Sequence, residues 1–265
     1  MVRELQKLPS RNRVWLNRQG LADIDPAVVI YDVSYEAPEI TTHTVDRARY
    51  NGSRVMRQRM GSSSVTITFA VREYDPPRRQ DIMHRITAWA MGGGILTTDD
   101  RPNQRLHVVC TSAPSVQSSL KWADSQEMEF SAFDQPFWED VTPAVKSLTG
   151  TDESGQLNGV GAAADPFIEV RVEAAENVTA LTLTAGDTSF AFSGISIAAG
   201  EALVIEYDET HTLRIYNEDT GVSYLDKRSA SSDDDLMIKV GRFSPVSFTA
   251  NGLCTAVFKA RGLYL

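Results

Sequence analysis

Between Val65 and Val71 the chain alternates strictly, with Val65, Ile67, Phe69 and Val71 separated by Thr66, Thr68 and Ala70. A period of two puts the four large side chains on one face of a strand, so the segment predicts a β-strand with one buried face. The period then changes. Asp75 and Pro76 suit an N-cap and a first helical position. Ile82, Ile86 and Trp89 follow at i, i+4 and i+7, flanked by Met83 and Ala90. This apolar stripe predicts a helix over about 76–91. Gly92-Gly93-Gly94 stops it, and Trp89 is expected to pack it onto the face of Val65, Ile67, Phe69 and Val71. Further strands are predicted at Arg105–Thr111 and Glu127–Phe133.

The last hundred residues read as strand throughout. Ile168, Val170 and Val172 alternate with Glu169 and Arg171. Short apolar segments recur at Ala180–Thr184, Ser189–Phe192, Ala202–Tyr207, Thr212–Tyr216, Leu236–Val240, Val246–Thr249 and Cys254–Lys259. Turn signals separate them, among them Ala185-Gly186-Asp187, Ala199-Gly200 and Asn251-Gly252. Many short strands at this spacing predict an antiparallel sandwich or jelly roll. Before them lies a Gly-, Ser- and Ala-rich stretch, SLTGTDESGQLNGVGAAAD, which reads as a connection. All four tryptophans (Trp15, Trp89, Trp122, Trp138) precede it. The expected organisation is therefore an N-terminal domain over 1–146 with one helix, a linker over 147–164, and an all-β domain over 165–265.

Charge sharpens this division. The net charge is −9, and residues 147–265 carry all of it, with 8 Lys and Arg against 17 Asp and Glu; residues 1–146 balance 18 against 18. An acidic second half argues against nucleic-acid binding there, because phosphate contacts need Lys and Arg. No apolar run reaches the roughly 18 residues of a membrane span, and Met1–Ser10 lacks the apolar segment of a secretory signal. Two distant cysteines, Cys110 and Cys254, make no disulfide framework. The expectation is a soluble protein made in a reducing cytoplasm.

Candidate chemistry is sparse. His43, His84, His107 and His211 stand at no metal-ligand spacing, and neither CxxC, HExxH nor GxSxG occurs. The three glycines at 92–94 end a helix instead of opening one, so they are not a phosphate loop. Asp233-Asp234-Asp235 lacks the spacing of a calcium loop and reads as a solvated turn. Asp99-Asp100 are neighbours on an extended chain, pointing opposite ways, which does not suit paired catalytic carboxylates. Asn51-Gly52-Ser53 and Asn177-Val178-Thr179 match a glycosylation sequon that has no meaning without secretion. No cofactor, metal or catalytic site is expected.

One segment stands apart. From Asp46 to Ser64 the chain reads DRARYNGSRVMRQRMGSSS, with Arg47, Arg49, Arg54, Arg57 and Arg59 and few apolar residues. It reads as a solvated hairpin around Asn51-Gly52, as an arm lying on a neighbouring subunit where Arg pairs with carboxylates, or, on weaker grounds, as a nucleic-acid contact.

The order of motifs carries a resemblance. After DRARYNGSRV and VTITFAV come PPRRQDIMHRITAWAMGGG, ILTTDDRPNQRLHVV, SSLKWADSQEMEFSAFDQPFWED, ALVIEYDETHTLRIY and LMIKVGRFSPVSF. Along essentially the whole chain this resembles the distal tail protein (Dit) family of long-tailed siphophages and their prophages. The resemblance implies a homo-hexameric ring at the tail tip, single or as two stacked rings. The N-terminal domain, β-sandwich or barrel-like with its helix, would build the ring, and a galectin-like β-sandwich would project from it. One ring face would meet the tail tube protein and the other the tail-tip fibre or lysin, or a receptor-binding protein. DNA would pass through the lumen, and assembly would take place in the bacterial host cytoplasm. In these terms the segment over about 41–64 is an arm that helps to close the ring, with Arg47, Arg49, Tyr50, Arg54, Arg57 and Arg59 as interface candidates. A ring needs head-to-tail contacts, and an arm reaching the next subunit supplies one.

Two other readings are carried forward. A galectin-like sandwich invites carbohydrate binding at the host surface. Sugar sites stack a pyranose on an aromatic ring; the second half has no Trp, and Tyr207, Tyr216 and Tyr224 are the candidates to take its place. A wall hydrolase would need a carboxylate pair, metal or nucleophile, and no spacing supplies one.

Overall fold

A computed structural model of the chain describes residues 14–46, 53–114, 123–158, 160, 164–208, 212–238 and 243–265. The chain divides into two units: residues up to Trp138 together with Leu265, and Glu139–Tyr264.

The first unit contains β1 (Val14–Leu16), β2 (Gln19–Gly20), β3 (Val28–Glu36), β4 (Ile40–Asp46), β5 (Ser53–Met60), β6 (Ser63–Val71), α1 (Pro76–Met91), β7 (Gly94–Thr98), β8 (Arg101–Ser112) and β9 (Ala123–Ala132). Seven strands follow one antiparallel path, β2-β1-β7-β8-β9-β6-β3, in a nearly closed, barrel-like sheet. The alternation in β6 has the expected result: Val65, Ile67, Phe69 and Val71 are all buried. Ile67 pairs with Val33 on one side and Met128 on the other, so the inner face is apolar across three strands.

Helix α1 lies over this core with Ile82, Met83 and Ile86 fully buried and Trp89 9% exposed. It packs against β6 and β8. Trp89 itself reaches further round the barrel than its stripe predicts. Its Nε1 donates to the carbonyl of Gln19 at 3.0 Å, and its ring meets Phe130 of β9 edge-on at 6.0 Å. Asp75 occupies the N-cap in an extended conformation, but its side chain makes no capping bond; its carbonyl accepts from Arg79 N–H at 2.9 Å. Buried Asp25 fastens the helix to the turn that precedes β3. It accepts from Ala27 N–H at 2.9 Å and from Arg85 at 3.1 Å. The Ala27 N–H, with Arg85 and Arg78 and against the cost of burial, holds the Asp25 carboxyl below the ordinary carboxylate range.

β10 (Trp138–Asp140) carries the chain from the first unit into the second. There follow β11 (Ala144–Asn158), β12 (Ile168–Ala174), β13 (Val178–Ala185), β14 (Thr188–Ile197), β15 (Ala202–Tyr207), β16 (Leu213–Asn217), β17 (Phe243–Ala260) and β18 (Leu263–Tyr264). The order is β14-β13-β17-β12-β15-β16, with β11 along the other edge of β17. β17 has 18 residues and is shared lengthwise. Val246–Ala250 pair with β13 and Cys254–Ala260 with β12. Side chains from both ends of the sheet, such as Phe190, Leu183, Phe248, Val170, Ile205 and Phe258, belong to one core.

The segment 147–164 is not a linker: Ala144–Asn158 form a 15-residue strand that pairs with β17 from Ala144↔Ala260 to Asn158↔Phe243. Leu148 and Leu157 are buried. Its small residues serve close packing, since a Cβ on Gly155 would lie 2.6 Å from Lys146 Cε and 2.9 Å from Leu148 Cδ2. Likewise Asn251-Gly252 is not a turn between two short strands but an interior point of β17. Asn251 Oδ1 accepts from the N–H groups of Thr179 and Ala180 at 3.0 and 3.1 Å. A Cβ on Gly252 would come within 2.7 Å of the Asn177 carbonyl oxygen. The expected strand at Leu236–Val240 is, over its described residues, a single bridge between Met237 and Phe167 that buries Leu236 and Ile238.

Candidate functional site

Residues 28–46 and 53–71 pair as one long antiparallel ribbon that changes character half way. Its base, β3 with β6, runs from Val28↔Val71 to Glu36↔Ser64 and is part of the barrel-like sheet. The ladder continues through a bond from Gly61 N–H to the Glu39 carbonyl at 2.8 Å. Beyond it, β4 and β5 pair from Ile40↔Met60 to Asp46↔Ser53 as a separate two-stranded sheet. Among the described elements, β4 and β5 pack substantially only on each other. Ile40, Val45 and Met56 are more than half exposed. A two-stranded ribbon alone is marginally stable in water, and these two strands form a sheet of their own.

The register organises its charge. Arg54, Arg57 and Arg59 stand opposite Val45, His43 and Thr41. Strict alternation would put Arg54 on the other face from Arg57 and Arg59. A bulge opposite His43/Thr44 inserts Met56 and brings all three arginine positions to one face. Among the remaining interface candidates, Arg47, Arg49 and Tyr50 lie outside the described residues, as do His211 and Trp122. The core candidates Val65, Ile67, Phe69, Val71, Ile82, Ile86 and Trp89 come together inside the first unit and are not part of a surface site.

One constellation in this unit escapes the sequence entirely. The Tyr35 hydroxyl lies 2.6 and 2.8 Å from the two carboxylate oxygens of Asp100 and 3.1 Å from Thr98 Oγ1. The Arg101 guanidinium sits 4.8 Å from the Tyr35 ring and 5.0 Å from the Trp138 ring. Burial, then the Asp100 carboxylate, push the Tyr35 phenol well above its ordinary value. Burial acts against Asp100, but bonds from Tyr35 and Thr98 outweigh it and hold that carboxyl below its usual range. Tyr35 stays protonated and Asp100 stays ionised, so the pair is a hydrogen-bonded staple and not an acid–base couple. Its members span residues 35–138, and no local pattern could announce them.

In the second unit the three tyrosine candidates are each engaged by neighbours within the fold. Tyr224 is buried and donates to the Ser196 carbonyl. Tyr207 stacks on Phe167 at 4.4 Å, and its hydroxyl accepts from Leu236 N–H at 2.8 Å. Half-buried Tyr216 donates to Glu206 at 3.2 Å. A shallow groove of about 450 Å³ is lined by small and polar residues such as Ser154, Gln156, Thr184 and Ser247 and has no aromatic wall. Asp233–Asp235 form a turn tied by Arg228, whose Nη1 donates to the carbonyls of Asp233 and Asp234 at 3.1 and 2.7 Å. Among the described residues no group of His, Cys, Asp and Glu is arranged to hold a metal ion, and no helix is long and apolar enough to cross a membrane.

No family model and no curated protein matches the chain. Solved structures do. The crystal structure of SPP1 Dit (gp 19.1), described as a paradigm of the hub adsorption apparatus in phages infecting Gram-positive bacteria, is similar over 94% of this chain and 98% of that one, with a TM-score of 0.71 at 11% identity. Chains of the phage P2 baseplate in its activated conformation, with calcium or strontium, match over 95% of this chain and 97% of theirs, with TM-scores of 0.49 and 0.48 at 8% identity. The first likeness establishes a shared fold along nearly the whole of both chains.

Proposed function

We propose that this chain is the structural hub of a long-tailed phage tail tip. It closes into a homo-hexameric ring, joins the tail tube protein to the tail-tip fibre, lysin or receptor-binding proteins, and leaves a lumen for DNA. The observation that carries the reading is the fold shared end to end with SPP1 Dit. The ordered motifs from DRARYNGSRV to SPVSF support it independently. The role is structural and non-catalytic. Its place is the virion tail tip, after assembly in the host cytoplasm.

The arm fits this role. A ribbon with exposed Ile40, Val45 and Met56 and a face of arginine positions suits a head-to-tail contact with the next copy. DNA passage favours a ring whose surface is not strongly basic overall, and the chain carries a net −9.

Light scattering on a gel-filtration peak tests the reading. Six copies of 29.2 kDa give roughly 175 kDa for a closed ring, or twice that for stacked rings. A monomer at every concentration, also in the presence of tail tubes, overturns the proposal.

A further inference from the structure

Residues 1–146 are neutral in sum, but the fold separates their charges. On the face of the sheet opposite the core, Asp32 pairs with Thr68 and Thr68 with Glu127; Ser34, Thr66 and Glu129 form the next row; Glu36, Ser64 and Ser131 the third. Asp32, Glu36 and Glu127 are exposed and Glu129 is half-buried. β3, β6 and β9 contain no lysine or arginine at all. Glu36 accepts a bond from Ser64 Oγ at 3.2 Å. Among the described residues, Asp32, Glu127 and Glu129 form no ion pair. The three strands bring four carboxylates to one face and no lysine or arginine, and like charges repel, so this face gains from an external positive charge.

The complementary surface belongs to the same ribbon. On the arm, the positions of Arg54, Arg57 and Arg59 share a face with those of Thr41, His43 and Val45, and no carboxylate position stands opposite them. Arg57 and Arg59 are two residues apart on a strand, as are Glu127 and Glu129, so both pairs have a pitch of about 6.6 Å. The arm continues the ladder of β3 and β6, held in line by the bond from Gly61 to Glu39. Reaching the acidic rows of its own chain would require that ladder to fold back on itself. The neighbouring copy presents the same rows without that requirement.

We propose that the acidic face formed by β3, β6 and β9 of one copy receives the arginine face of the arm of the next copy, which makes ring closure an electrostatic, head-to-tail contact. This rests on the arm being a subunit contact, and it adds the surface that receives it.

The test is a charge swap in the full chain, read by sedimentation velocity, with circular dichroism to confirm folding. Arg57→Glu with Arg59→Glu is expected to weaken assembly by roughly a hundredfold or more, since like charges placed face to face cost several kcal/mol. Glu127→Arg with Glu129→Arg is expected to do the same. Mixing the two variants restores rings, because each arm then meets a face of opposite charge in an alternating arrangement. Glu127→Gln with Glu129→Gln avoids placing a cation at half-buried Glu129 and weakens assembly by about tenfold if reversal disturbs the fold. If the arm variant assembles like the parent, or the parent is always monomeric, the arm is not a subunit contact and both readings fall. If the arm variant dissociates while the carboxylate variants assemble normally, or the mixture stays dissociated, the arm reading stands and the acidic face is not its receiver.

Discussion

The arm of β4 and β5 and the ribbon of β11 and β17 are both antiparallel pairs rich in polar residues, yet one is an outlier of its unit and the other its axis. The arm has seven and eight residues per strand and packs substantially on nothing but itself among the described elements. β11 is just as polar, with Ser147, Thr149, Thr151, Asp152, Glu153 and Ser154 in succession along it. It is nevertheless integral, because Leu148 and Leu157 reach the core and β17 pairs with it on both sides of a bulge at Gly150/Asp152. Polar composition therefore does not decide whether a ribbon belongs to a fold. What decides is whether the few apolar side chains at alternate positions find a surface to cover. Those of β11 find one within the chain, whereas Ile40, Val45 and Met56 of the arm stay exposed.

Removing each ribbon is the most direct way to break this comparison. A fragment of residues 165–265 lacks β11, leaves one edge of β17 unpaired and strips Leu148 and Leu157 from the core. Two buried leucines alone are worth roughly 3–6 kcal/mol, comparable with the whole stability of a small domain. The fragment is expected to be unfolded or aggregated, whereas residues 139–265 give a cooperative melt and dispersed amide resonances. A well-folded 165–265 fragment would show that β11 is dispensable.

A smaller effect probes the crossing inside β17. Gly252→Ala pushes a methyl against the Asn177 carbonyl, and overpacking of this kind costs about 1–3 kcal/mol. Chemical denaturation should report the loss in the second unit only. An unchanged midpoint would mean that the strand yields there and that Asn251-Gly252 behaves as an ordinary turn.

The smallest effect on folding is expected from the arm. Glu39 and Gly61 are hydrogen-bonded neighbours, so residues 40–60 can be replaced by a two-residue turn of the hairpin type. Melting of the first unit should shift by no more than about 2 °C, since surface changes away from packed features stay within about 0.5 kcal/mol, while ring formation is lost. A large drop in melting temperature would make the arm an internal element after all.

Much of this was legible in the residues. Local periodicity reads well wherever one face of an element is buried: Val65 to Val71, Ile82 to Trp89 and Ile168 to Val172 all bury their apolar side. It fails at 147–158, where only Leu148 and Leu157 are buried and the rest resembles a linker. It fails again at Asn251-Gly252, where a turn dipeptide is used for a backbone crossing. The single face of Arg54, Arg57 and Arg59 was hidden as well, because a bulge changes which positions are neighbours.

The amino-acid order by itself determined the mainly β class, the helix from Pro76 to Met91 and its buried stripe, and the basic character of the 46–64 segment. Each follows from propensity and period, which act over a few residues. Only the tertiary structure decided that β11 is a strand, that β17 runs unbroken through Asn251-Gly252, that Tyr35, Asp100, Arg101 and Trp138 meet, and that the carboxylates of β3 and β9 share a face. Those outcomes depend on pairings between residues tens of positions apart. Their register is set by the cores they jointly bury, which no local window contains.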